Sequence, residues 1–579
     1  MALWTQRDRA RATLAREVGY VRKPHGGRLR VALAFPNTYW VGMSNLGFQT
    51  VYRLFNNRDD VVCERVFLPP KQDVKALLAA RAPLVTIESQ TPVADVDVLA
   101  FSVSFEWDYT NVLTLLRLAG LPLYAAERSN RHPLVVIGGA VTFVNPEPLA
   151  PFADLVAAGE GEALVPSLVD AIRSASDRRD LWSRLAVHRG FYVPARYHVT
   201  HAADGTIARV EALEDSPLPV AKAAIKTTQR LDPPATTIFT PDTEFGSRLL
   251  IEVVRGCANL CRFCWAGYNY LPVRAFSTTR ILELAGQARA HARRVGLVSI
   301  ALCDHPDIEE ILRRLSGMGY SISPASLRLD DLTPNIVRLL KESGERTLTI
   351  APETGSDRLR RVINKTVTND EILDRAELIF SSGFENLKLY FMIGLPTETD
   401  EDLVAIRDLT VALRERMVAH ARGRGRLGNI SGSVNPLVPK PGTAYQWLPM
   451  AHPTEIRQKT ARLRSLMGGI DNVFLTVKSE RHAFYQALLS LGDRRVAAAI
   501  ELAERNGGNW RAAVADAGLD ADFYVYRDRQ GDAVLPWDII DGGMKSSFFR
   551  NELEKSFRAE WTLPPTRQKE NPKLLPTLS

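Results

Sequence analysis

The sequence has 579 residues, of which 45% are hydrophobic and 24% charged, with 37 Gly and 34 Pro. These proportions are ordinary for globular proteins and exclude disordered, collagen-like and low-complexity classes, and the length suggests several units of roughly 100–200 residues. No stretch approaches the ~18 consecutive apolar residues of a spanning helix, and the N-terminus is charged where a signal peptide is apolar. We therefore expect a cytoplasmic protein without a membrane partner.

The net charge of +7 is concentrated at the N-terminus, because residues 1–30 hold eight Lys and Arg against Asp8 and Glu17. Such a basic leader, residues 1–28, can contact the phosphates of a nucleic acid. A solvated arginine-rich helix would have the same composition, so both interpretations stand at this point.

Residues 29–175 alternate short apolar runs with helix-length segments such as Ser44 to Asn57. The alternation predicts an α/β fold with a doubly wound, Rossmann-like parallel sheet, whose ligands bind outside the carboxyl ends of the strands. The predicted strands lie in the runs 28–36, 61–69, 96–104, 133–140 and 154–162. Four glycines at the carboxyl ends of the last two runs are candidate ligand-binding positions: Gly138, Gly139, Gly159 and Gly161. No G-x-G-x-x-G follows the first run, which disfavours a dinucleotide site.

The remaining sequence predicts four further segments. Residues 176–245 are proline-rich and predict a small β-rich connector, and 246–450 show a second α/β rhythm. Its apolar runs are 249–256, 297–303, 321–328, 347–353, 386–394 and 430–438. They predict a partial (β/α)6 barrel with its chemistry at the carboxyl ends of the strands. Residues 451–560 predict a helical C-terminal domain and 561–579 a loose tail.

Five cysteines without a secretory signal indicate reduced thiols, and three of them crowd into RGCANLCRFCWAGYNYLPVR. Cys257, Cys261 and Cys264 directly follow the first predicted barrel strand. A zinc site needs a fourth ligand nearby, and His291 and Cys303 lie 27 and 39 residues beyond Cys264. Three local thiolates instead fit an iron–sulfur cluster that has either a distant fourth ligand or one iron left open.

The spacing C-x-x-x-C-x-x-C, with Phe263 before the third cysteine, resembles the signature of radical S-adenosylmethionine (SAM) enzymes. The resemblance implies that Cys257, Cys261 and Cys264 bind a [4Fe–4S] cluster whose fourth iron chelates the amino and carboxylate groups of SAM. One electron, from a donor such as flavodoxin or ferredoxin, then cleaves SAM to a 5′-deoxyadenosyl radical.

The same resemblance implies roles for residues at other strand ends. Phe263 is expected near the adenine, and Glu353, in TLTIAPETGSDRLRRVINK, is expected to meet the ribose hydroxyls. Ile393 and Gly394 belong to a turn, LKLYFMIGLPTETDED, that lets the backbone approach the adenine.

Two contacts to the methionine part of SAM stay open. SIALCDHPDIEEIL departs from the Gly-Gly-Glu-like motif of the family, so Ser299, Asp304 and the backbone are all candidates for the methionine amino group. Arg360 or Arg361 could pair with the methionine carboxylate, but arginines are common on solvated helix faces, and Glu353 is the favoured site residue.

A doubly wound domain before such a barrel resembles the class with an N-terminal cobalamin-binding domain of B12-binding type. GGAVTFVNPEPLAPFADLVAAGEGE resembles its glycine-bearing segment, which implies cobalamin contacts for Gly138, Gly139, Gly159 and Gly161. With SLGDRRV and LPWDIIDGGMKSSFFRNELEKS, the chain resembles an uncharacterised bacterial family of this architecture. FPNTYWVGMSNLG lacks the histidine of Asp-x-His-x-x-Gly proteins, so cobalamin would carry no protein histidine on cobalt; a domain serving only as scaffold is the alternative.

Three functions follow from these features. The first is cobalamin-dependent methylation, in which the adenosyl radical abstracts hydrogen from an unactivated carbon and methylcobalamin delivers the methyl group. The second is cobalamin-free modification of RNA or a ribosomal protein, favoured by the basic leader and by ARGRGR at 421–426. Thiolating enzymes of that kind have three more cysteines in the first domain, where this chain has only Cys63. The third is a non-catalytic iron–sulfur protein, which would not cleave SAM.

Overall fold

The first unit is an α/β domain in the computed structural model, which describes residues 2–324, 327–329, 332–422, 425–532 and 534–563. Its strands are β1 (Leu29–Phe35), β2 (Val61–Phe67), β3 (Val98–Ser102), β4 (Leu134–Gly138), β5 (Leu155–Ala157) and β6 (Phe191–Tyr192). They form one sheet in the order β2-β1-β3-β4-β5-β6, in which only β6 is antiparallel to its neighbour. The strand order reverses between β1 and β3, as in doubly wound folds.

Helices cover both faces of this sheet. They are α1 (Ala2–Leu14), α2 (Tyr39–Met43), α3 (Leu46–Asn56), α4 (Lys71–Ala80), α5 (Tyr109–Leu118), α6 (Gly161–Ser174) and α7 (Arg178–Ala186). Alternate strand residues enter different cores: Val31 and Val136 pack towards α3 and α6, while Ala32 and Val135 pack towards α4 and α5. Because both faces are buried, the strands read as continuous apolar runs, and the predicted doubly wound sheet is confirmed.

The basic leader packs on this unit. Ala10 and Leu14 of α1 are buried, and the Gln6 side chain accepts a hydrogen bond from the Val85 N–H at 2.7 Å. Arg9 pairs with Asp73, and Arg16 lies 2.7 Å from Asp242. Ion pairs within the chain therefore occupy two of the arginines that favoured a nucleic acid partner.

A connector leads from β6 to the second unit. It contains the hairpin β7 (Tyr197–His201) and β8 (Ile207–Ala212), followed by the short strand β9 (Val220–Ala221). Residues 176–245 thus supply α7 and β6 to the first unit, in addition to the short strands β7, β8 and β9 that follow them.

The second unit is a parallel barrel-like array, divided into two sheets. Its strands are β10 (Leu249–Glu252), β11 (Val254–Arg255), β12 (Arg274–Ala275), β13 (Arg294–Val298), β14 (Ser321–Pro324), β15 (Thr347–Glu353), β16 (Asn386–Ile393), β17 (Ile430–Pro436) and β18 (Val473–Val477). The parallel sheets are β10-β13-β14 and β15-β16-β17-β18, and β11 and β12 form a separate antiparallel pair. β18 pairs with β17 and lies beyond residue 450, where the sequence predicted the barrel to end. The described chain thus adds a seventh parallel strand to the six predicted.

Helices surround the second unit and continue into the C-terminal segment. Those of the barrel are α8 (Trp265–Asn269), α9 (Thr278–Ala288), α10 (Ile308–Gly317), α11 (Pro334–Glu342), α12 (Asp357–Ile363), α13 (Asn369–Ser381), α14 (Asp400–Ala421) and α15 (Pro453–Met467). The C-terminal ones are α16 (Glu480–Leu491), α17 (Val496–Arg505), α18 (Trp510–Asp516), α19 (Ala521–Val525) and α20 (Ser546–Phe557), with a short strand β19 (Ile540–Asp541) before α20. In the described part of the chain, no helix combines the length and apolarity needed to cross a membrane. The predicted tail, 561–579, lies almost wholly outside the described residues.

The C-terminal helices contact both α/β units. The Asn145 amide, after β4, donates to the carbonyls of Ser490 and Gly492 at 2.9 and 2.7 Å. On the other side, Arg262 of the cysteine segment pairs with Glu552 of α20 at 3.1 Å. β9 pairs with β19, so the connector joins this arrangement as well. The C-terminal segment therefore braces the first unit against the second.

Glu552→Ala is expected to destabilise the protein by about 3–5 kcal/mol, because Arg262 would stay buried without its counter-charge. Urea unfolding followed by circular dichroism measures the change. Glu554→Ala on the same helix is the control, since the Glu554 carboxylate lies 3.8 Å from the exposed Arg558 and loss of this surface pair should cost about 0–1 kcal/mol. Equal effects of the two substitutions would refute the bracing role of this ion pair.

Candidate active site

The three clustered cysteines lie on a loop, and this loop is held in place by contacts on both of its sides. Gly256 precedes the loop with φ +98°, and a Cβ there would lie 2.5 Å from the Tyr270 carbonyl oxygen, so only glycine fits. The Arg262 N–H donates to the Ile363 carbonyl at 3.0 Å, and the Asn364 amide donates to the Leu260 carbonyl at 3.2 Å. The loop is therefore fixed against the end of α12.

The environment of the thiols is apolar. Cys257 and Cys261 are buried and Cys264 is partly exposed. Burial raises the pKa of all three thiols, that of Cys261 to about 12. Backbone N–H groups oppose this pKa rise at two of them: that of Asn259 at Cys257, and those of Ala266 and Gly267 at Cys264. Binding of a metal cluster must therefore release protons.

Within the described ranges, no group of three His, Cys, Asp or Glu side chains is gathered for a single metal ion. The three thiols nevertheless lie close enough for the charges of Cys257 and Cys264 to affect the pKa of Cys261. Thiol ligands with backbone N–H donors and little water are the surroundings in which iron–sulfur clusters occur in proteins. The donor set therefore fits a cluster held by three cysteines.

A partly buried ion pair lies beside the thiols. Glu353, the last residue of β15, has a left-handed backbone with φ +64°, and its carboxylate lies 3.5 Å from the Lys365 ammonium. Burial raises the pKa of Glu353, and the Lys365 charge opposes that rise. The Lys365 charge also lowers the pKa of Cys261 and Cys264. The ion pair and the thiols are thus parts of one site.

Lys365 was missed by the sequence analysis. Asn364 ends α12 in the left-handed conformation, with φ +54°, and the chain reverses there, so that Lys365 reaches the thiols. The signal available in the sequence was Asn364, a residue type that can end a helix in the left-handed conformation, followed directly by a lysine. Its distance of about a hundred residues from the cysteines concealed the contact.

Arg360, one of the two neighbouring arginines, has structural partners. Arg360 is fully buried and donates to the Thr354 carbonyl at 2.8 Å and to the Asn369 side chain at 2.7 Å. Burial lowers the pKa of Arg360 to about 10. These bonds place Arg360 in the support of the β15–α12 turn.

The other residues singled out for SAM have the following places. Phe263 is partly buried against the hydrophobic cluster shared with the C-terminal helices, and Ile393 is fully buried. Gly394 has φ +75°, and its N–H donates to the Glu398 carboxylate at 2.6 Å. The N–H that would face an adenine is therefore already used by Glu398.

Both candidates on the second barrel strand make local contacts. The Ser299 hydroxyl accepts a hydrogen bond from the Ala301 N–H at 3.0 Å. Asp304 pairs with Arg328 at 3.0 Å. Cys303 is partly buried against the barrel core.

A cavity of about 570 Å³ lies between the two α/β units. All four glycines singled out at the carboxyl edge of the first sheet line it: Gly138, Gly139, Gly159 and Gly161. From the second unit, Gly256, Trp265 and Tyr270 of the cysteine segment and Ser299 line it as well. The cavity continues between the first sheet and helices α3 and α6, past Leu33, Phe55, Val136, Leu164 and Leu168. One space thus joins the glycine edge to residues that flank the cysteines, while the three cysteines themselves are not among the described residues that line it.

The four glycines differ in what requires them. A Cβ on Gly139 would lie 2.3 Å from the Val103 carbonyl oxygen, and one on Gly159 would lie 2.1 Å from that of Ala223. Close packing of the chain therefore explains these two. At Gly138 the nearest atom to a Cβ is 3.6 Å away, an ordinary contact, so this glycine is free to shape the cavity.

Comparison with known proteins gives the class of the protein. Residues 47–194 match the family "Radical SAM proteins, N-terminal", and residues 251–410 match the "Radical SAM superfamily". The chain belongs to the radical SAM superfamily, as its cysteine motif predicted.

Two curated relatives are similar in sequence. The uncharacterised protein MJ0966 of Methanocaldococcus jannaschii is 28% identical over 421 residues, which cover 72% of this chain and 79% of that protein. The uncharacterised methyltransferase PH0819 of Pyrococcus horikoshii is 25% identical over 294 residues, covering 48% of this chain and 58% of that protein.

The fold is also found in a solved structure. The radical SAM methyltransferase TsrM from Kitasatospora setae, with tryptophan and a SAM analogue bound, aligns with a TM-score of 0.51 at 13% identity. The alignment covers 83% of this chain and 98% of that one, so both have the same succession of units.

Cys261→Ala is expected to abolish the visible absorption and bound iron of the reconstituted protein, together with reductive cleavage of SAM. The reason is that two thiols cannot hold a cluster in this loop. Cys303→Ala, which removes a thiol outside the loop, is the control and should retain both properties. Cleavage of SAM by the Cys261→Ala protein would contradict the assignment of the loop.

Proposed function

We propose that the protein is a cobalamin-dependent radical SAM methyltransferase that transfers a methyl group to an unactivated carbon. The observation that carries the proposal is the single cavity that opens on the glycine edge and on the cysteine segment. When bound, the [4Fe–4S] cluster supplies the electron that cleaves SAM, and cobalamin supplies the methyl group. A shared space brings two reactive centres to one substrate, which is worth a large effective concentration.

Cys257, Cys261 and Cys264 would hold the cluster in its apolar loop. The Glu353–Lys365 pair lies beside them and is complementary to the zwitterionic end of SAM, since Lys365 can pair with the carboxylate and Glu353 with the ammonium. Binding SAM would thus exchange one partly buried ion pair for two. This assignment moves Glu353 from the ribose, where the sequence analysis expected it, to the methionine end.

The glycine edge would hold the cobalamin. The cavity behind Gly138 is an apolar slot between β4 and helices α3 and α6, suited to one arm of a large cofactor. Neither the slot nor the segment after β1 has a histidine lining the cavity, in the part of the chain that the structure describes. The cobalamin would therefore be held without a histidine on cobalt.

The names of two similar proteins favour methyl transfer over other radical SAM reactions. PH0819 is named a methyltransferase, and TsrM, which has the same fold, is one. The acceptor substrate stays open, with RNA or a ribosomal protein as the alternative class and flavodoxin or ferredoxin as the expected electron donor. The docked leader, with Arg9 and Arg16 in ion pairs, favours a substrate that enters the cavity over one bound by that arm.

Lys365→Gln is expected to raise the Kd for SAM at least tenfold while leaving bound iron and the visible spectrum unchanged, because a charge partner of SAM is lost and no thiol is altered. Equilibrium binding of SAM to the reconstituted protein measures the effect. Lys365→Arg keeps the charge and should restore most of the affinity. Unchanged affinity in Lys365→Gln would remove Lys365 from the site.

Iron-reconstituted protein incubated with hydroxocobalamin and then desalted should retain about one cobalamin per chain and form 5′-deoxyadenosine when reduced with SAM. Gly138→Val should fold normally, since space exists for its Cβ, and should lose the cobalamin at least tenfold by filling the slot. Visible absorption gives the retained cobalamin, and the unfolding midpoint of Gly138→Val controls for stability. Cleavage of SAM without retained cobalamin in the natural protein would favour the cobalamin-free alternative.

A further inference from the structure

A network of buried charges joins the glycine edge of the first unit to the strand that precedes the cysteines. Arg255, at the end of β11, is two residues before Cys257 and only 9% exposed. Its guanidinium donates to Glu252 of β10 at 2.7 and 3.0 Å, within its own unit. It also reaches two carboxylates of the other unit: Glu162, at 2.9 Å, and Glu160, at 3.3 Å.

A second arginine binds the segment that contains Glu160 and Glu162. Arg274 of β12, directly opposite Arg255 in the β11–β12 pair, donates to both oxygens of Glu160 at 2.7 and 3.0 Å. Glu160 also accepts a hydrogen bond from the Ile225 N–H of the connector at 2.9 Å. The Gly159–Glu162 segment is therefore held from the barrel by two guanidinium groups.

The network borders the cavity on both sides. Glu160, Glu162, Glu252 and Arg255 all line it, between the glycines of the first sheet and the cysteine segment. Planar, bidentate contacts of this kind restrain orientation as well as distance, which a lysine ammonium cannot do. Because Arg255 is two residues before Cys257, a shift of residues 159–162 would be transmitted through Arg255 to the cysteine loop.

We propose that Arg255, through Glu160 and Glu162, is a positioning residue that sets the separation and mutual orientation of the cobalamin edge and the cluster loop. This inference rests on the proposed function, since it concerns two cofactors in one cavity. Arg255 acts through the two carboxylates and touches no reacting atom. Its role is to keep the methyl donor and the SAM-cleaving centre at one fixed distance.

The test compares Arg255→Lys and Glu162→Gln with the natural protein, all loaded with cluster and cobalamin. Both substitutions weaken the bidentate contact between Arg255 and Glu162 but alter no cysteine and no glycine of the cavity edge, so the two cofactors should bind in the natural amounts. The readout is the enhancement of cob(II)alamin electron-spin relaxation by the reduced cluster, which depends steeply on their separation. We expect at least a twofold change in this enhancement in both variants, and unchanged enhancement in both would overturn the inference.

Glu504→Gln is the matched control. Glu504 of α17 pairs with Arg117 of α5 at 2.8 Å, so it also joins two units through a partly buried ion pair, but neither residue lines the cavity. This variant should give the natural spin relaxation. An effect as large as that of Glu162→Gln would mean that any contact between units serves equally well, which would also overturn the inference.

Hydrogen–deuterium exchange separates this inference from the proposed function. If the natural protein retains no cobalamin, the methylation proposal fails, but the network can still be tested in protein carrying the cluster alone. The Glu160 N–H is bonded to the Ala223 carbonyl and the Ile225 N–H to the Glu160 carboxylate. We expect exchange in peptides containing them to be at least tenfold faster in Arg255→Lys and Glu162→Gln; natural rates would overturn the network's positioning role.

Discussion

Docking of the two α/β units rests on guanidinium groups that share their hydrogen bonds among carboxylates of both units. Taking charges out of water costs free energy, and the cost is offset only when every partner is present and well oriented. Arg255 meets this condition only while Glu160 and Glu162 of the first unit lie against the barrel. The ion pairs of Arg255 therefore favour the docked arrangement in which both units line the cavity.

The first unit, the barrel and the C-terminal helices contribute different features to the cavity and its surroundings. The first unit contributes an edge of glycines and an apolar slot, and the barrel contributes thiols and an ion pair. Neither unit closes the space alone. The C-terminal helices contact both, through Asn145 on one side and Arg262 on the other, and add rigidity where the ion network ends. Membership in the radical SAM superfamily accounts for the barrel and its cysteines.

The features predicted correctly are those encoded locally. Buried parallel strands are short apolar runs, so β1 to β5 and most barrel strands were predicted close to their observed positions. The cysteine spacing and the glycines after β4 and β5 are likewise contained in short segments. β18 was missed because VFLTV is short and follows a polar helix, and only its pairing with β17 makes it part of the barrel.

Contacts between distant segments could not be predicted from one sequence. Lys365 joins the thiols only because Asn364 reverses the chain at the end of α12. The leader has the composition of a free basic arm, but its arginines form ion pairs with Asp73 and Asp242 of the same chain. Such pairings depend on where folding places residues far apart in the chain, and charge composition alone is equally compatible with solvent, nucleic acid or an internal partner.

The pairing of Arg262 with Glu552 has a consequence for how the protein is made. The two residues are 290 positions apart, so Arg262 leaves the ribosome well before its counter-charge is synthesised. At about 5–20 residues per second this interval is roughly 15 to 60 seconds, during which the cysteine loop lacks the helix that completes its surroundings. Iron delivered in that interval would meet a loop still open to water and oxygen. We therefore expect the centre to be assembled after translation, once Glu552 of α20 has paired with Arg262.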